Sequence, residues 1–334
     1  MTPMAAGNGT GRRVDTTASP DHPVIREIVR RRVEGAVGNS PAAVSAGVKL
    51  GLVVEGGGMR GVYSGGALVG MEELGLSKTF DAVYGESAGA INACYFLAGQ
   101  GGFGIRIYVD DLTSLKFANP LRLGTMLDVR YAIDVVVKTI KPLQVEKVLA
   151  SPSDLFMAVT SGVTGESRVV DAKREGIPLL TLLLATGAIV PLYNHAVMIA
   201  GHPYVDGGIA NPIPIASAIA GGCTHILVLL TRPPEFRSKS YNCLQRFCLS
   251  PLFRKWPAAF VDAFYQRQAT RYNETRDVAF GRTATKPDIH IAVISPAPDS
   301  PPLGRSTVSR KRLLAAKDDA VLRTRSVFRE LAMT

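Results

Sequence analysis

Three short stretches carry residues whose types and spacing can do chemistry. In Gly85-Glu86-Ser87-Ala88-Gly89 a serine stands between small residues and glycines. This is the G-x-S-x-G pattern, in which a sharp strand-to-helix turn lifts the hydroxyl clear of its neighbours. A serine hydroxyl is a weak nucleophile at neutral pH and needs a positioned base. Asp206, followed by Gly207 and Gly208, offers a carboxylate presented from a tight turn, so one candidate base is a carboxylate that takes the Ser87 proton directly. Alone, the same triplet reads better as an ordinary Asp-Gly turn with no catalytic role. His225 and His290 lie downstream of Asp206 and are formal candidates for an imidazole base, in the chain order of α/β-hydrolases. Each falls in an apolar, strand-like run and reads better as a packed or surface histidine.

The third stretch is Glu55-Gly56-Gly57-Gly58-Met59-Arg60-Gly61. Bare glycine amides can approach an anion closely, and three readings follow. Gly56-x-Gly58-x-x-Gly61 matches a dinucleotide fingerprint, with Asp81 lying ~20 residues further on, where a ribose-binding acid is sought. The same amides can hold the oxyanion of an ester intermediate. The loop can also be a plain glycine turn.

The elements that must position these groups follow from apolar runs and glycine or proline breaks. Lys49 to Val54 reads as a buried strand opening into the glycine loop, Tyr63 to Leu74 as a helix, Phe80 to Tyr84 as a second strand and Ala88 to Leu97 as an apolar helix. Strands are expected at Asp154 to Thr160 and Ser167 to Val170 around the Gly162 to Gly165 turn. A helix is expected near Leu179 to Ala188, a short strand through Tyr204 and Val205, a helix at Ile213 to Ala220, and strands at Ile226 to Leu230 and Asp288 to Ile294. Such alternation predicts an α/β fold with a mainly parallel sheet covered by helices on both faces. Arg237 to Arg282 reads as basic, aromatic-dotted helices and loops. Ser309 to Leu331 reads as an amphipathic basic helix with Leu314, Val321 and Phe328 on its apolar face. The expected organisation is a flexible arm with a short basic helix over 1–45, a catalytic domain over 46–295, and a proline-rich connector with a packed basic helix over 296–334.

Composition bounds the rest. With 46% hydrophobic and 20% charged residues in 334, the chain has enough apolar side chains for a core and is not a disordered one. Its 38 Lys and Arg against 28 Asp and Glu, a net charge of +10, favour anionic surfaces, whether nucleic acid or membrane. The four cysteines, Cys94, Cys223, Cys243 and Cys248, form no C-x-x-C pair, so neither a disulfide scaffold nor a zinc site is expected. No secretory signal or spanning segment is expected: Ile177 to Ala200, the most apolar stretch, is interrupted by Pro178, Gly187, Pro191, Asn194 and His195.

Taken together and in this order, Gly56-Gly-Gly-Met-Arg-Gly61, Gly85-Glu-Ser-Ala-Gly89 and Asp206-Gly-Gly208, with Asn211-Pro212 beyond, resemble the patatin-like phospholipases of the bacterial branch. The resemblance runs from about Lys49 to Leu230. It implies a three-layer α/β/α fold and a Ser-Asp dyad, with Ser87 as nucleophile and Asp206 as general base. Amides of Gly56, Gly57, Gly58 and Met59 would form the oxyanion hole, and Arg60 would steady that loop or meet a lipid phosphate. Glu86 stands where the family commonly has a small or hydroxylated residue. No metal or cofactor is implied. The expected substrate is a lipid at a membrane or micelle surface, anionic phospholipid among the candidates, with no nucleic-acid partner and a cytoplasmic or membrane-peripheral location. The competing readings are a nucleotide-binding α/β enzyme using Gly56 to Gly61, and a non-catalytic basic protein that binds membranes.

Overall fold

The short apolar runs assemble into one sheet because each is flanked by turn residues and is too short for a core helix. The computed structural model describes residues 18–37, 47–300 and 302–332. Residues 1–17, most of the expected arm, lie outside them. The strands are β1 (Leu50–Val54), β2 (Ala82–Gly85), β3 (Asp154–Ser161), β4 (Ser167–Asp171), β5 (Val197–Ile199), β6 (His202–Asp206), β7 (His225–Leu229) and β8 (His290–Ile294), all in a single 8-stranded sheet. β1 pairs in parallel with β2 and β7, β2 with β3, and β7 with β8.

The sheet is mainly parallel, as expected, with an antiparallel part around β3. β4 and β6 both run antiparallel to β3, and β5 antiparallel to β6. The connections account for this. The Gly162 to Gly165 turn and the Ala200-Gly201 turn, at φ 48° and 78°, are tight hairpin links, whereas a parallel pair needs a long crossover.

Register then decides where the site forms. Met157 of β3 pairs with both Gly85 of β2 and Val170 of β4, while Val159 pairs with both Arg168 of β4 and Asp206 of β6. β4 therefore holds one edge of β3, and β2 and β6 share the other. Since β2 is parallel and β6 antiparallel to β3, the two approach end to end. Gly85 and Asp206 stop opposite residues 157 and 159, a separation of about 7 Å along β3.

Alternation along β1 separates the two faces. Leu52 and Val54 join a core with α1 (Pro23–Val37), α2 (Gly61–Glu73), α3 (Ala88–Leu97) and the Leu179–Gly187 helix, while Val53 faces Ile215, Ala218 and Tyr272 on the other side. The result is the three-layer arrangement. Within α1, Val24, Ile25 and Ile28 are fully buried, so the basic helix near the start of the chain is a packed element. The terminal helix, Arg310–Val327, lies on α2, but its buried stripe is Leu313, Ala320, Thr324 and Val327, with Leu314 and Val321 at the flank. Ala320 and Thr324 face Gly66 and Gly70 of α2, where only small side chains fit, and this displaces Leu314 and Val321, while Phe328 just beyond the helix is fully buried as expected. No helix among the described residues is long and apolar enough to cross a membrane.

Candidate active site

The turn at Ser87 is a strained one. β2 ends at Gly85, α3 starts at Ala88, and Ser87 between them has φ 51° and ψ −132°. A non-glycine residue there costs about 1–3 kcal/mol and persists only where its surroundings enforce it. Here they do. The Ser87 N–H donates to Thr186 Oγ1 at 2.9 Å, and that hydroxyl donates in turn to the Ala158 carbonyl at 2.6 Å. Gly89 lets α3 close onto β1, because a Cβ there would lie 2.2 Å from the Val54 oxygen.

The glycine loop leaves β1 on the neighbouring strand, since Val54 is the register partner of Gly85. Gly57 and Gly58 adopt φ 119° and 59°, a backbone region that glycine enters without strain. The four expected oxyanion donors are not equivalent. Gly56 N–H donates to Glu86 Oε1 at 2.7 Å and Met59 N–H to the Arg305 carbonyl at 2.9 Å, so both are committed. Gly57 and Gly58 N–H donate no hydrogen bond among the described residues. Of the amides over Gly56 to Met59, those of Gly57 and Gly58 are therefore the ones without an acceptor among the described residues. Arg60 is 7% exposed, with its guanidinium against Gly57 and its Nε unpartnered, and the loop continues through Gly61 into α2.

Asp206 closes β6 and Gly207 opens the next turn. Its amide donates to Ala188 O at 3.1 Å, its carbonyl accepts from Thr160 Oγ1 at 2.8 Å, and its Oδ1 accepts from Gly208 N–H at 2.7 Å. Oδ2 is buried and, in strict hydrogen-bond geometry, unpartnered. The Ser87 hydroxyl is nonetheless near enough to act on this carboxyl as a hydrogen-bonding neighbour. A loose contact between nucleophile and base tightens when substrate is held.

Electrostatics separate the two carboxyls. Burial, and then the Asp206 charge, raise Glu86 well above the usual carboxylate range. Burial also raises Asp206, opposed by the Ser87 hydroxyl, the Gly208 N–H and the Arg305 and Arg60 charges. Two buried carboxyls this close do not both ionise. Glu86 is the protonated one and Asp206 the carboxylate, because the donors and cations gather on Asp206. Burial, and then the Arg305 charge, lower Arg60 to about 10.

Two cavities of opposite character meet at Ser87. A polar one of about 360 Å³ is lined by Ser87 and Asp206 together with Glu55, Arg60, Glu86, Arg232, Lys239 and Arg305. An apolar slot of about 50 Å³ is lined by Ser87, Met59, Ile107, Leu112, Phe117 and Val129 among others, and Ile189 walls both.

The other candidates lie elsewhere. His225 and His290 are register partners with ring centroids 4.8 Å apart, at the level of Leu50, a full strand length from the glycine loop; no histidine lines the polar cavity. Asp81 accepts from Leu50 N–H at 2.6 Å and pairs with Arg31 at 2.9 Å, also at the opposite end of β1 from the glycine loop. Among the described residues no group of three or more His, Cys, Asp or Glu could hold a metal ion.

Several site residues have no motif of their own. Thr186 sits inside an apolar helix. Glu55 accepts from Tyr272 OH at 2.8 Å and Thr231 N–H at 2.6 Å, fixing the base of the loop. Arg232 could be noticed only for directly following a strand end, and Arg305 falls in a stretch that reads as a connector.

Among known proteins, the Uncharacterized protein YjjU of Escherichia coli strain K12 is 28% identical over 194 residues, which is 56% of this chain. The chain spans about half, 53%, of that relative's length. Of solved structures, VipD from Legionella pneumophila is 11% identical with a TM-score of 0.44, over 85% of this chain and 67% of that one. The type III effector protein ExoU is 14% identical with a TM-score of 0.29, over 66% and 53%. The family model for patatin-like phospholipases matches residues 52–219, half of the chain and the stretch that holds all three motifs, so the chain belongs to the patatin-like phospholipase family.

Proposed function

We propose that the chain is a serine acyl hydrolase that cleaves fatty-acyl esters of lipids. The observation that carries this reading is the position of Ser87 at the junction of the apolar slot and the polar cavity. An ester bound across that junction puts its acyl chain in the slot, its alcohol in the polar cavity and its carbonyl at the hydroxyl. Ser87 Oγ attacks the carbonyl carbon while Asp206 Oδ2 takes the proton, and the Gly57 and Gly58 amides receive the oxyanion. Collapse expels the alcohol, which regains the proton from Asp206. Water, deprotonated by the same carboxylate, then attacks the acyl-serine; the bond to Ser87 Oγ breaks, Oγ takes the proton back from Asp206, and the fatty acid leaves.

An aggregated lipid surface is supported by the loop that walls the slot. It contributes Phe117 and Leu127 inward and carries Leu121 and Leu123 outward at 88% and 84% exposure, on a chain of net charge +10. A fluorophosphonate probe should label the wild-type chain and fail to label folded Ser87→Ala. Equal labelling of both would contradict the reading.

A further inference from the structure

We infer that Arg305 is a positioning residue of the oxyanion loop, acting through its backbone carbonyl, and that the terminal helix is what holds it in place. The role rests on the hydrolase reading, which gives the Gly57 and Gly58 amides their task. It assigns a part in the reaction to a segment well outside residues 52–219, the stretch that matches the family model.

The two unbound amides lie between two tied ones. Gly56 N–H is held by Glu86 Oε1, within the elbow itself, and Met59 N–H by the Arg305 carbonyl at 2.9 Å. The second tie is a close approach of two backbones. A Cβ on Gly58 would lie 2.6 Å from the same carbonyl oxygen, so the Arg305 peptide fills the space that a side chain would take. If that carbonyl withdraws, Met59 N–H becomes a third unbound donor, and the peptide between Gly58 and Met59 loses the bond that fixes its plane. Met59 is also fully buried and walls the apolar slot, so the same displacement reaches the acyl side. A misplacement of about 1 Å at a reacting centre costs on the order of 10²-fold in rate.

A braced turn presents the carbonyl. Gly304 N–H donates to Thr307 Oγ1 at 2.8 Å, and Leu303 before it is buried. The terminal helix then begins at Arg310, whose guanidinium donates to the Val109 carbonyl at 3.2 Å and pairs with Asp110 at 3.2 Å. Both lie in the helical turn Ile107–Asp111, which supplies Ile107 and Tyr108 to the slot. Further along, Arg325 pairs with Glu73 of α2 at 2.7 Å, and Ala320 and Thr324 rest on Gly66 and Gly70. Since α2 starts at Gly61, directly after the loop, one helix grips both the exit of the loop and the turn that ties Met59.

Replacing one atom tests this. In a semisynthetic full-length protein whose Arg305–Ser306 amide is made an ester, the Arg305 carbonyl becomes a poorer acceptor. The N–H removed, that of Ser306, donates no hydrogen bond among the described residues. A Thr307→Val, Arg310→Met double variant loosens the same turn genetically and carries the test if the semisynthetic protein does not fold. Hydrolysis of p-nitrophenyl butyrate would be measured per serine titrated with a fluorophosphonate, alongside the affinity of a trifluoromethyl ketone, whose tetrahedral adduct places its oxyanion on the loop amides. In both altered proteins kcat should fall at least fivefold and ketone affinity by a matching factor, with KM within twofold. Hydrogen exchange of the Met59 amide should quicken at least tenfold. A bond that serves only the fold would lower the melting midpoint and the titrated fraction but leave kcat per serine and ketone affinity unchanged, and that result would overturn the proposal. Unchanged exchange at Met59 in both altered proteins would overturn it as well. A wild type that neither cleaves the ester nor takes up the fluorophosphonate would sink the hydrolase reading and this role with it, whereas an active wild type with unmoved kcat in the folded altered proteins sinks the role alone.

Discussion

Glu86 is the residue where this site departs furthest from a small-residue elbow, and its chemistry explains how a carboxyl is tolerated there. Its Oε1 accepts the Gly56 N–H at 2.7 Å, so it does for the glycine loop what a backbone carbonyl would do, and burial keeps it neutral. The proton has a thermodynamic consequence. A carboxyl whose folded pKa lies above its unfolded value of 4.5 contributes stability that is fully present below 4.5 and is lost as pH rises through the folded pKa. Glu86→Gln keeps the oxygen that Gly56 needs and has no proton to lose. Its melting midpoint should therefore gain on that of the wild type progressively as pH is raised above 4.5. A difference that stays constant with pH would contradict the assignment of Glu86 as protonated.

At the scale of elements, the turn holding Ser87 depends on the Leu179–Gly187 helix as much as on β2. Thr186 joins the Ser87 amide to the Ala158 carbonyl of β3, and it is fully buried. Thr186→Val preserves shape and removes both bonds, leaving the Ser87 N–H and the Ala158 C=O to find other partners. The expected loss is about 1–3 kcal/mol of stability, measured by denaturant unfolding, together with lower kcat. Unchanged stability and kcat would mean that the elbow needs no such brace. Most elements that carry the motifs were legible in the sequence, because a strand followed by a glycine loop and a helix is encoded within a dozen neighbouring residues. The antiparallel β5 and β6 were less so, since their pairing depends on contacts with β3 far away along the chain. The slot wall was not legible: Ile107, Phe117 and Val129 lie in segments with no catalytic pattern and acquire a role only by packing beside Ser87. Arg305 was hidden for the opposite reason, in a proline-rich stretch whose composition suggests only a connector.

At the scale of the whole molecule, the two ends of one edge of β3 bring together residues 119 positions apart in the chain, Ser87 after β2 and Asp206 at the end of β6. The histidine pair lies at the far end of the sheet and cannot serve in its place. The Ser87 hydroxyl, the Gly208 N–H, Arg305 and Arg60 hold down a carboxyl that burial would otherwise raise further, so on the proposed reading the fold sets the pH range of the base. The most direct measurement is the rate of fluorophosphonate labelling of Ser87 as a function of pH, in the wild type and in folded Asp206→Asn. The wild-type rate should rise with pH through one ionisation above the ordinary carboxylate value of 3.8. In Asp206→Asn that step should vanish and the rate fall by about 10²- to 10⁴-fold, the usual contribution of a general base. Labelling of Asp206→Asn at close to the wild-type rate, with an ionisation near neutrality that disappears in a histidine variant, would contradict a carboxylate acting directly on the serine.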